Sequence, residues 1–264
     1  MASNTGKLFL SVTLILLIAL SIVIVALEST SKDFVDKNKN AGFSIYPDRS
    51  RNEARTILAL PMQLDMERSD FTLGVSVISL VAGLAGLPFS IWLFRNEKKV
   101  RTLRGDKLSA SNILVAHVQQ MNWMTPVYAF LATLTSTALL SLASLLTMFI
   151  THARSAHFDP NYKTHWGWYG PAGAYTKGVF DLETWVCELA YYRGSDGTRN
   201  FSKQCSIEQA ARWLLLPFCI VSIVAAGLGW WVMVREKAIV DAANAAAIKN
   251  RDADDMAALH KRRD

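Results

Sequence analysis

Charged residues are scarce in this chain, and four long stretches lack them entirely. Asp, Glu, Lys and Arg make up only 19% of the 264 residues, whereas hydrophobic residues make up 51%. This balance excludes a disordered chain, which has few hydrophobic residues and many charges. None of the four charged residue types occurs in residues 8–27, 71–94, 125–150 and 213–234.

Each of these uncharged stretches is long enough to cross a membrane. They contain 20, 24, 26 and 22 residues, and an α-helix needs about 20 residues to span a hydrocarbon core of about 30 Å. A soluble helix of this length would carry a polar face, so the absence of charge disfavours that alternative. We therefore predict an all-α membrane protein with a single domain, built as a four-transmembrane-helix bundle.

The first stretch has a second interpretation as a signal peptide. Residues 8–27 follow a short N-terminus with one basic residue, Lys7. The apolar part of a signal peptide is usually about 7–15 residues long, which is shorter than this stretch. We favour an uncleaved membrane anchor, and cleavage would remove one helix without inverting the others.

The distribution of basic residues predicts the orientation of the bundle. Residues 1–7, loop 95–124 and tail 235–264 carry net charges of +1, +4 and +1, which together account for the whole +6 of the chain. Loops rich in Lys and Arg remain in the cytoplasm. Both termini and loop 95–124 are therefore predicted to be cytoplasmic, in the plasma membrane or a secretory-pathway membrane. Loops 28–70 and 151–212 are then the outer loops.

The chain has only three cysteines, and two of them, Cys187 and Cys205, fall in the second outer loop. A disulfide between them would close a loop of about 19 residues and give about 3 kcal/mol of stability, forming a small extracellular cap. The same loop holds Asn200 in an Asn-Phe-Ser sequence, which matches the acceptor pattern for an N-linked glycan. Both modifications fit an outer face, although free thiols and a chance tripeptide are the alternatives. Cys219, in the fourth stretch, is expected to pack as a small apolar residue.

Small residues predict where the helices approach each other. The second stretch has Gly83 and Gly86, each four positions after another small residue, and the fourth has Ala225 with Gly229 four positions after it. Such spacing allows close backbone approach in lipid. We expect the second and fourth helices to pack against each other.

The third stretch carries hydroxyl side chains at helical spacing. We expect this line of residues to face other helices and not lipid, because such hydroxyls bond backbone carbonyls or neighbouring helices. A polar pathway is the alternative. The line comprises Thr133, Thr137, Ser141 and Ser144, with Ser136 and Thr147 beside it.

Motifs for catalysis and for cofactor binding are absent from the sequence. His152, His157 and His165 lie near Asp159, but their spacing matches no metal-ligand signature, so we expect no metal and no cofactor. Serine, histidine and aspartate occur without a nucleophile motif, and no glycine-rich phosphate loop is present. Nucleic acid is not expected as a partner, because membrane orientation explains the positive charge.

The remaining segments predict contacts with lipid and protein. Residues 54–60 in the first outer loop are predicted to form a short helix on the membrane, and the alanine-rich tail after Val234 is predicted to continue the fourth helix. The tail and the second outer loop are the expected surfaces for protein partners. Basic side chains of the cytoplasmic loop are candidates for binding lipid headgroups: Lys98, Lys99, Arg101 and Arg104.

Part of the sequence resembles a known group of proteins. The stretch Glu183-Thr-Trp-Val-Cys-Glu-Leu189, with Cys205 and Glu208-Gln-Ala-Ala-Arg-Trp-Leu-Leu-Leu-Pro217, resembles uncharacterised four-span membrane proteins of filamentous fungi. This resemblance implies a four-span fold and no particular activity. The layout is also similar to that of tetraspanins, but their Cys-Cys-Gly motif is missing. The paired cysteines that claudin-like proteins carry in the first loop are missing as well.

These observations favour a non-enzymatic tetraspan membrane protein that acts as a scaffold or binds partner proteins. The alternative is a subunit of a channel or transporter, in which a homo-oligomer would line a pore with the hydroxyls of the third helix. The uncharged spans weigh against transport, because ion coupling ordinarily needs ionisable groups within the membrane. A third hypothesis is a membrane enzyme that uses His157 and Asp159.

Overall fold

The structure is a computed structural model, and it describes residues 2–38, 42–46, 55–58, 64–103, 110–157, 179–191, 193–194 and 201–261. Its elements in chain order are α1 (Ala2–Asn38), β1 (Gly42–Tyr46), β2 (Arg55–Leu58), α2 (Glu67–Leu103), α3 (Ala110–Ala153), α4 (Leu182–Tyr191), β3 (Arg193–Gly194) and α5 (Phe201–Lys261).

Four of the helices are long and apolar enough to cross a membrane. The segments that meet this criterion are Thr5–Asn38, Glu67–Ile91, Pro126–Ala153 and Phe201–Arg235. They contain the four predicted stretches, apart from residues 92–94 and 125 at the edges. The prediction of a four-helix membrane bundle is confirmed, and the chain is an integral membrane protein.

The four long helices form a closed ring in which each contacts two neighbours. Helix α1 packs against α2 and α5, and α3 packs against the same two helices. Neighbouring helices run in opposite directions. One end of the bundle therefore holds both chain termini, and we call it the terminal end. The other end carries α4, and we call it the cap end.

The predicted pairing of the second and fourth spans is wrong, because α2 and α5 lie diagonally across the ring and are not among its main contacts. The small residues instead admit large side chains from adjacent helices. Gly83 faces Ile18 of α1, and Gly86 faces Phe130 of α3. Gly229 of α5 faces Leu131 of α3, and Ala225 is fully buried. Small-residue spacing identifies a face of close approach, but it does not specify which helix approaches.

The bundle is apolar outside and partly polar inside. Large apolar side chains of every long helix are exposed, including Leu16, Val81, Leu139 and Ile220. A soluble monomer rarely exposes apolar surface of this extent, whereas a lipid-facing surface requires it. The interior contains buried hydroxyl residues from all four helices: Ser21, Thr72, Ser76, Ser79, Thr137, Ser141, Ser144 and Ser222.

The hydroxyl line of α3 is therefore only partly internal. Ser141 and Ser144 are buried, and the Ser144 hydroxyl lies 2.9 Å from that of Thr72 on α2. Thr137 is also buried and donates to the carbonyl of Thr133 over 2.8 Å. Thr133, Ser136 and Thr147 are exposed, so the prediction that the whole line faces other helices is wrong for these three. The line is wider than the face that two neighbouring helices cover.

A small cap closes one end of the bundle. The predicted disulfide joins Cys187 of α4 to Cys205 of α5, with Cα atoms 4.8 Å apart. Beneath it, α4 contributes Trp185, Val186 and Leu189 to a buried cluster that includes Phe180 and reaches α1 at Val35. The cap is thus packed on the bundle and covalently attached to α5.

The cap also contains a three-stranded antiparallel sheet, in the order β2-β1-β3. Strand β1 pairs with β2 from Gly42↔Leu58 to Ile45↔Arg55, and with β3 at Ile45↔Gly194. The prediction of a short helix over residues 54–60 is wrong for residues 55–58, which form strand β2 and pair with β1. The sheet joins the first outer loop to the residues that follow α4.

Several helices continue beyond the bundle at the terminal end. Helix α2 runs to Leu103, α3 begins at Ala110, and α5 runs to Lys261. The predicted continuation of the fourth helix into the tail is confirmed. Exposed positions on this part of α5 include Ala242, Ala245 and Ile248. Cys219 is buried in α5 as expected.

Candidate functional site

A cluster of buried charged side chains lies where the cap meets the bundle. Arg68 forms an ion pair with Asp181, and both side chains are almost completely buried. Arg212 Nη2 lies 3.0 Å from Glu183 Oε1, and the Glu183 side chain is only 3% exposed. Arg68 belongs to α2 and Arg212 to α5, whereas Asp181 immediately precedes α4 and Glu183 lies in its first turn. The ion pairs therefore join the cap helix to two different helices of the ring.

His152, in the last turn of α3, completes the cluster. Its Nδ1 lies 3.0 Å from Asp181 Oδ2 and 3.7 Å from Glu183 Oε2. Thr184 places its hydroxyl 3.4 Å from the same nitrogen. Each carboxylate thus directs one oxygen toward an arginine and the other toward the imidazole. The His152 side chain is 33% exposed, so the cluster reaches the surface of the molecule at this residue.

The backbone around Asp181 explains why the acids point inward. The carbonyl of Phe180 accepts from the amide of Asp65, and the carbonyl of Val179 accepts from the amide of Ala156. The amide of Asp181 donates to Ser155 Oγ over 2.9 Å. Residues 179–181 are thereby fixed between the segment before α2 and the segment after α3. Asp181 then immediately precedes α4, a position where a carboxylate is favoured by the free amides and the dipole of the helix.

A second polar layer lies next to the charged cluster and involves α1. Glu28 of α1 accepts a hydrogen bond of 2.6 Å from Ser69 of α2. Gln204 of α5 donates to Ser31 over 3.0 Å and to Glu208 over 2.9 Å. Together the two layers connect all four helices of the ring at the cap end. A buried polar network of this kind is stabilising only when its members are paired.

Burial dominates the electrostatics of Glu183. Desolvation raises the pKa of this carboxyl group above its ordinary value, while the nearby charges of Arg212 and His152 act in the opposite direction. Glu183 Oε2 has no hydrogen-bond partner in the described part of the chain, and the same is true of Nε of Arg68 and Nε of Arg212. The site therefore contains a buried carboxylate oxygen that is free to accept a proton or a cation.

The sequence predicted some residues of the cap and missed the charged cluster. The histidines and Asp159 do not converge within the described residues: only His152 joins the cluster, and His157 contacts Glu188 over 2.6 Å at an exposed position. Asp159, His165, the glycan acceptor Asn200 and Arg104 lie outside the described residues. Lys98, Lys99 and Arg101 lie on the last part of α2, and their side chains are outside the description.

The acids of the cluster left a weak signal in the sequence. Asp181 and Glu183 alternate with Phe180 and Leu182 at the start of a helix, a pattern that places polar groups between buried ones. Their arginine partners lie just outside the predicted spans, where charges are common. Only the fold shows that these groups are buried together.

The comparisons with protein families, curated proteins and solved structures found no match to this chain.

Proposed function

We propose that the protein is a non-enzymatic membrane scaffold that presents its cap as a binding surface for partner proteins. One observation supports this proposal above the others: the cap is attached to the bundle by a disulfide and by ion pairs with two helices. A surface that is already ordered loses little conformational freedom when a partner binds, which favours affinity.

The proposed orientation places the cap on the extracellular or lumenal side. The disulfide favours an oxidising compartment, and the net positive charge of the segments at the terminal end favours the cytoplasm. Both termini are then cytoplasmic. The continuation of α5 to Lys261 gives the protein a second surface on that side, with Ile248 63% exposed.

A partner should be recovered with the protein from its native membrane. The experiment is affinity purification in mild detergent, followed by mass spectrometry and native sizing. A Cys187→Ser/Cys205→Ser variant frees the cap from its covalent attachment, and Cys219→Ser is the matched control because this buried thiol lies outside the cap. We expect a stoichiometric partner with the native chain and the control, and reduced recovery with the double variant. Absence of any partner, or equal recovery with all three chains, would contradict the proposal.

The second candidate function is a subunit of a channel or transporter. The observation that favours it is the set of buried hydroxyls contributed by all four helices. Several of these hydroxyls are already bonded to carbonyls of their own helix, as Ser76 is to Thr72 and Ser79 to Val75. This pairing makes them less available to a permeating ion. Conductance in planar bilayers that changes in a Thr137→Val/Ser141→Ala variant would favour this candidate over the scaffold.

A further inference from the structure

Three potential metal ligands converge at the junction of α3 and α4. His152 Nδ1, Asp181 Oδ2 and a Glu183 carboxylate oxygen offer one imidazole and two carboxylate donors, and their ligand atoms all lie within 4.8 Å of one another. The described residues contain this one group of three such ligands. Imidazole with carboxylate is a donor set that divalent transition metals accept, and zinc in particular binds both.

The distance between the His152 and Asp181 donor atoms matches those around one metal ion. Two ligand atoms that each lie about 2.1 Å from a metal are about 3.0–3.4 Å apart in octahedral or tetrahedral geometry. The nitrogen of His152 lies 3.0 Å from the oxygen of Asp181 and 3.7 Å from the oxygen of Glu183. A small side-chain movement of Glu183 brings the second distance into the same range. The hydroxyl of Thr184 or a water molecule is then available for a fourth position.

Glu183 supplies an independent indication of a ligand at this cluster. Its side chain is 3% exposed, and its Oε2 atom is buried without a hydrogen-bond partner in the described part of the chain while it faces His152. A buried unpaired carboxylate oxygen is costly, and it usually indicates a proton, an ion or a water molecule.

The arginines favour a fixed geometry for the two carboxylates. Arg68 binds Asp181 Oδ1 and Arg212 binds Glu183 Oε1, so each acid is held by one oxygen while its other oxygen faces the imidazole. Residues that bond to metal ligands without contacting the metal orient those ligands and strengthen metal binding. Two further buried carboxyl groups, Glu28 and Glu208, also interact electrostatically with Arg68.

We propose that His152, Asp181 and Glu183 bind one divalent transition-metal ion, for which zinc is the best match. The ion enters at the exposed edge of His152 and joins the end of α3 to the start of α4. Its role is to lock the cap onto the bundle. This site does not depend on whether the cap binds a partner protein, so it can be tested separately from the proposed function.

The test uses the full-length protein in detergent, purified with a tag that contains no histidine and treated with a chelator. Zn²⁺, Mn²⁺, Mg²⁺ and Ca²⁺ are then added one at a time, and binding is followed by calorimetry and thermal unfolding. We expect one Zn²⁺ per chain and an increase in Tm, with little effect of Mg²⁺ or Ca²⁺. His152→Ala should weaken zinc binding by more than about 100-fold, since loss of an outer-sphere partner alone costs 10–100-fold.

His157→Ala is the matched control, because His157 is an exposed histidine in the same region whose imidazole faces Glu188 and not the cluster. It should bind zinc as the native chain does. A second measurement is the visible absorption of bound Co²⁺, which should appear in the native chain and in His157→Ala and be absent from His152→Ala. The partly exposed position of His152 makes a folded variant attainable, and a cooperative thermal unfolding transition of the metal-free variant, like that of the metal-free native chain, verifies it. Absence of zinc binding by the native chain, or equal binding by His152→Ala, would overturn the proposal.

Discussion

The middle of the bundle and its cap end are both partly polar inside, but they satisfy their polar groups in different ways. In the middle, buried hydroxyls bond to carbonyls one turn earlier in the same helix, as Ser21 does to Leu17 over 2.7 Å. At the cap end, buried charges bond between elements that are far apart in the chain, as Arg68 does to Asp181. Most hydrogen bonds in the middle therefore form within a single helix and depend little on how the helices pack. The ion pairs at the cap end form only when the chain is folded.

This difference indicates where the stability of the structure is vulnerable. A hydroxyl bonded within its own helix loses little when a neighbouring helix moves, and such bonds contribute modestly in membranes. A buried charge that loses its partner remains desolvated, which is far more costly. Changes at the cap end should consequently have larger effects than changes of similar size in the middle.

The largest effect is expected from removal of a buried acid. Asp181→Ala leaves Arg68 and His152 without their carboxylate partner, and breaking a buried pair in this way costs about 3–5 kcal/mol. Asp33→Ala is the control, because Asp33 and Lys37 form an exposed pair on α1 that contributes less than about 1 kcal/mol. The measurement is the free energy of unfolding in mild detergent. Equal losses of unfolding free energy for the two variants would show that the buried ion pairs stabilise the protein no more than an exposed pair does.

The disulfide is expected to rank second. Replacing Cys187 and Cys205 with serine should cost about 3 kcal/mol, because the unfolded chain regains the freedom of the closed loop. The ion pairs keep α4 on the bundle, so the variant should still fold. Reduction of the native protein followed by thermal unfolding should give the same loss, whereas Cys219→Ser in the presence and absence of reductant should show a reductant-dependent loss like that of the native chain. If reduction leaves Tm unchanged, the ion pairs alone fix the cap.

The middle of the bundle is tested at Gly86. A Cβ at this position would lie 2.7 Å from Phe130 Cε2, so Gly86→Ala should force the ring to move and cost about 1–3 kcal/mol. Gly74→Ala is the matched control on the same helix, because a Cβ at Gly74 meets nothing within 4 Å. That control should be neutral or stabilising, since alanine favours a helix over glycine by about 1 kcal/mol. Destabilisation of both variants to the same extent would contradict the packing of α2 against α3.

The contrast between local contacts and contacts far apart in sequence also explains how much of the structure the sequence could predict. The spans and the continuation of α5 depend on residues close in sequence, and these predictions are confirmed. The pairing of α2 with α5 was predicted wrongly, because Gly83 and Gly86 do not encode which neighbour fills the space beside them. Arg68 and Asp181 are 113 positions apart, and no local pattern connects them. The site was therefore inaccessible to sequence reasoning, although each of its charges is visible there.

The smallest expected effect is the pH dependence that Glu183 confers. Burial raises the pKa of its carboxyl group above the ordinary value of 4.5, so the folded state holds this proton more tightly than the unfolded state does. The resulting stability is fully present below pH 4.5 and is lost as the pH rises through the raised pKa.

Glutamine cannot titrate, so the native chain should lose stability relative to Glu183→Gln as the pH increases over that interval. Unfolding measurements with a chelator present isolate the proton from any metal, and Glu67→Gln at an exposed position of α2 is the control. If the native chain instead gains stability relative to Glu183→Gln as the pH rises, the arginines and not burial determine the charge of this carboxylate.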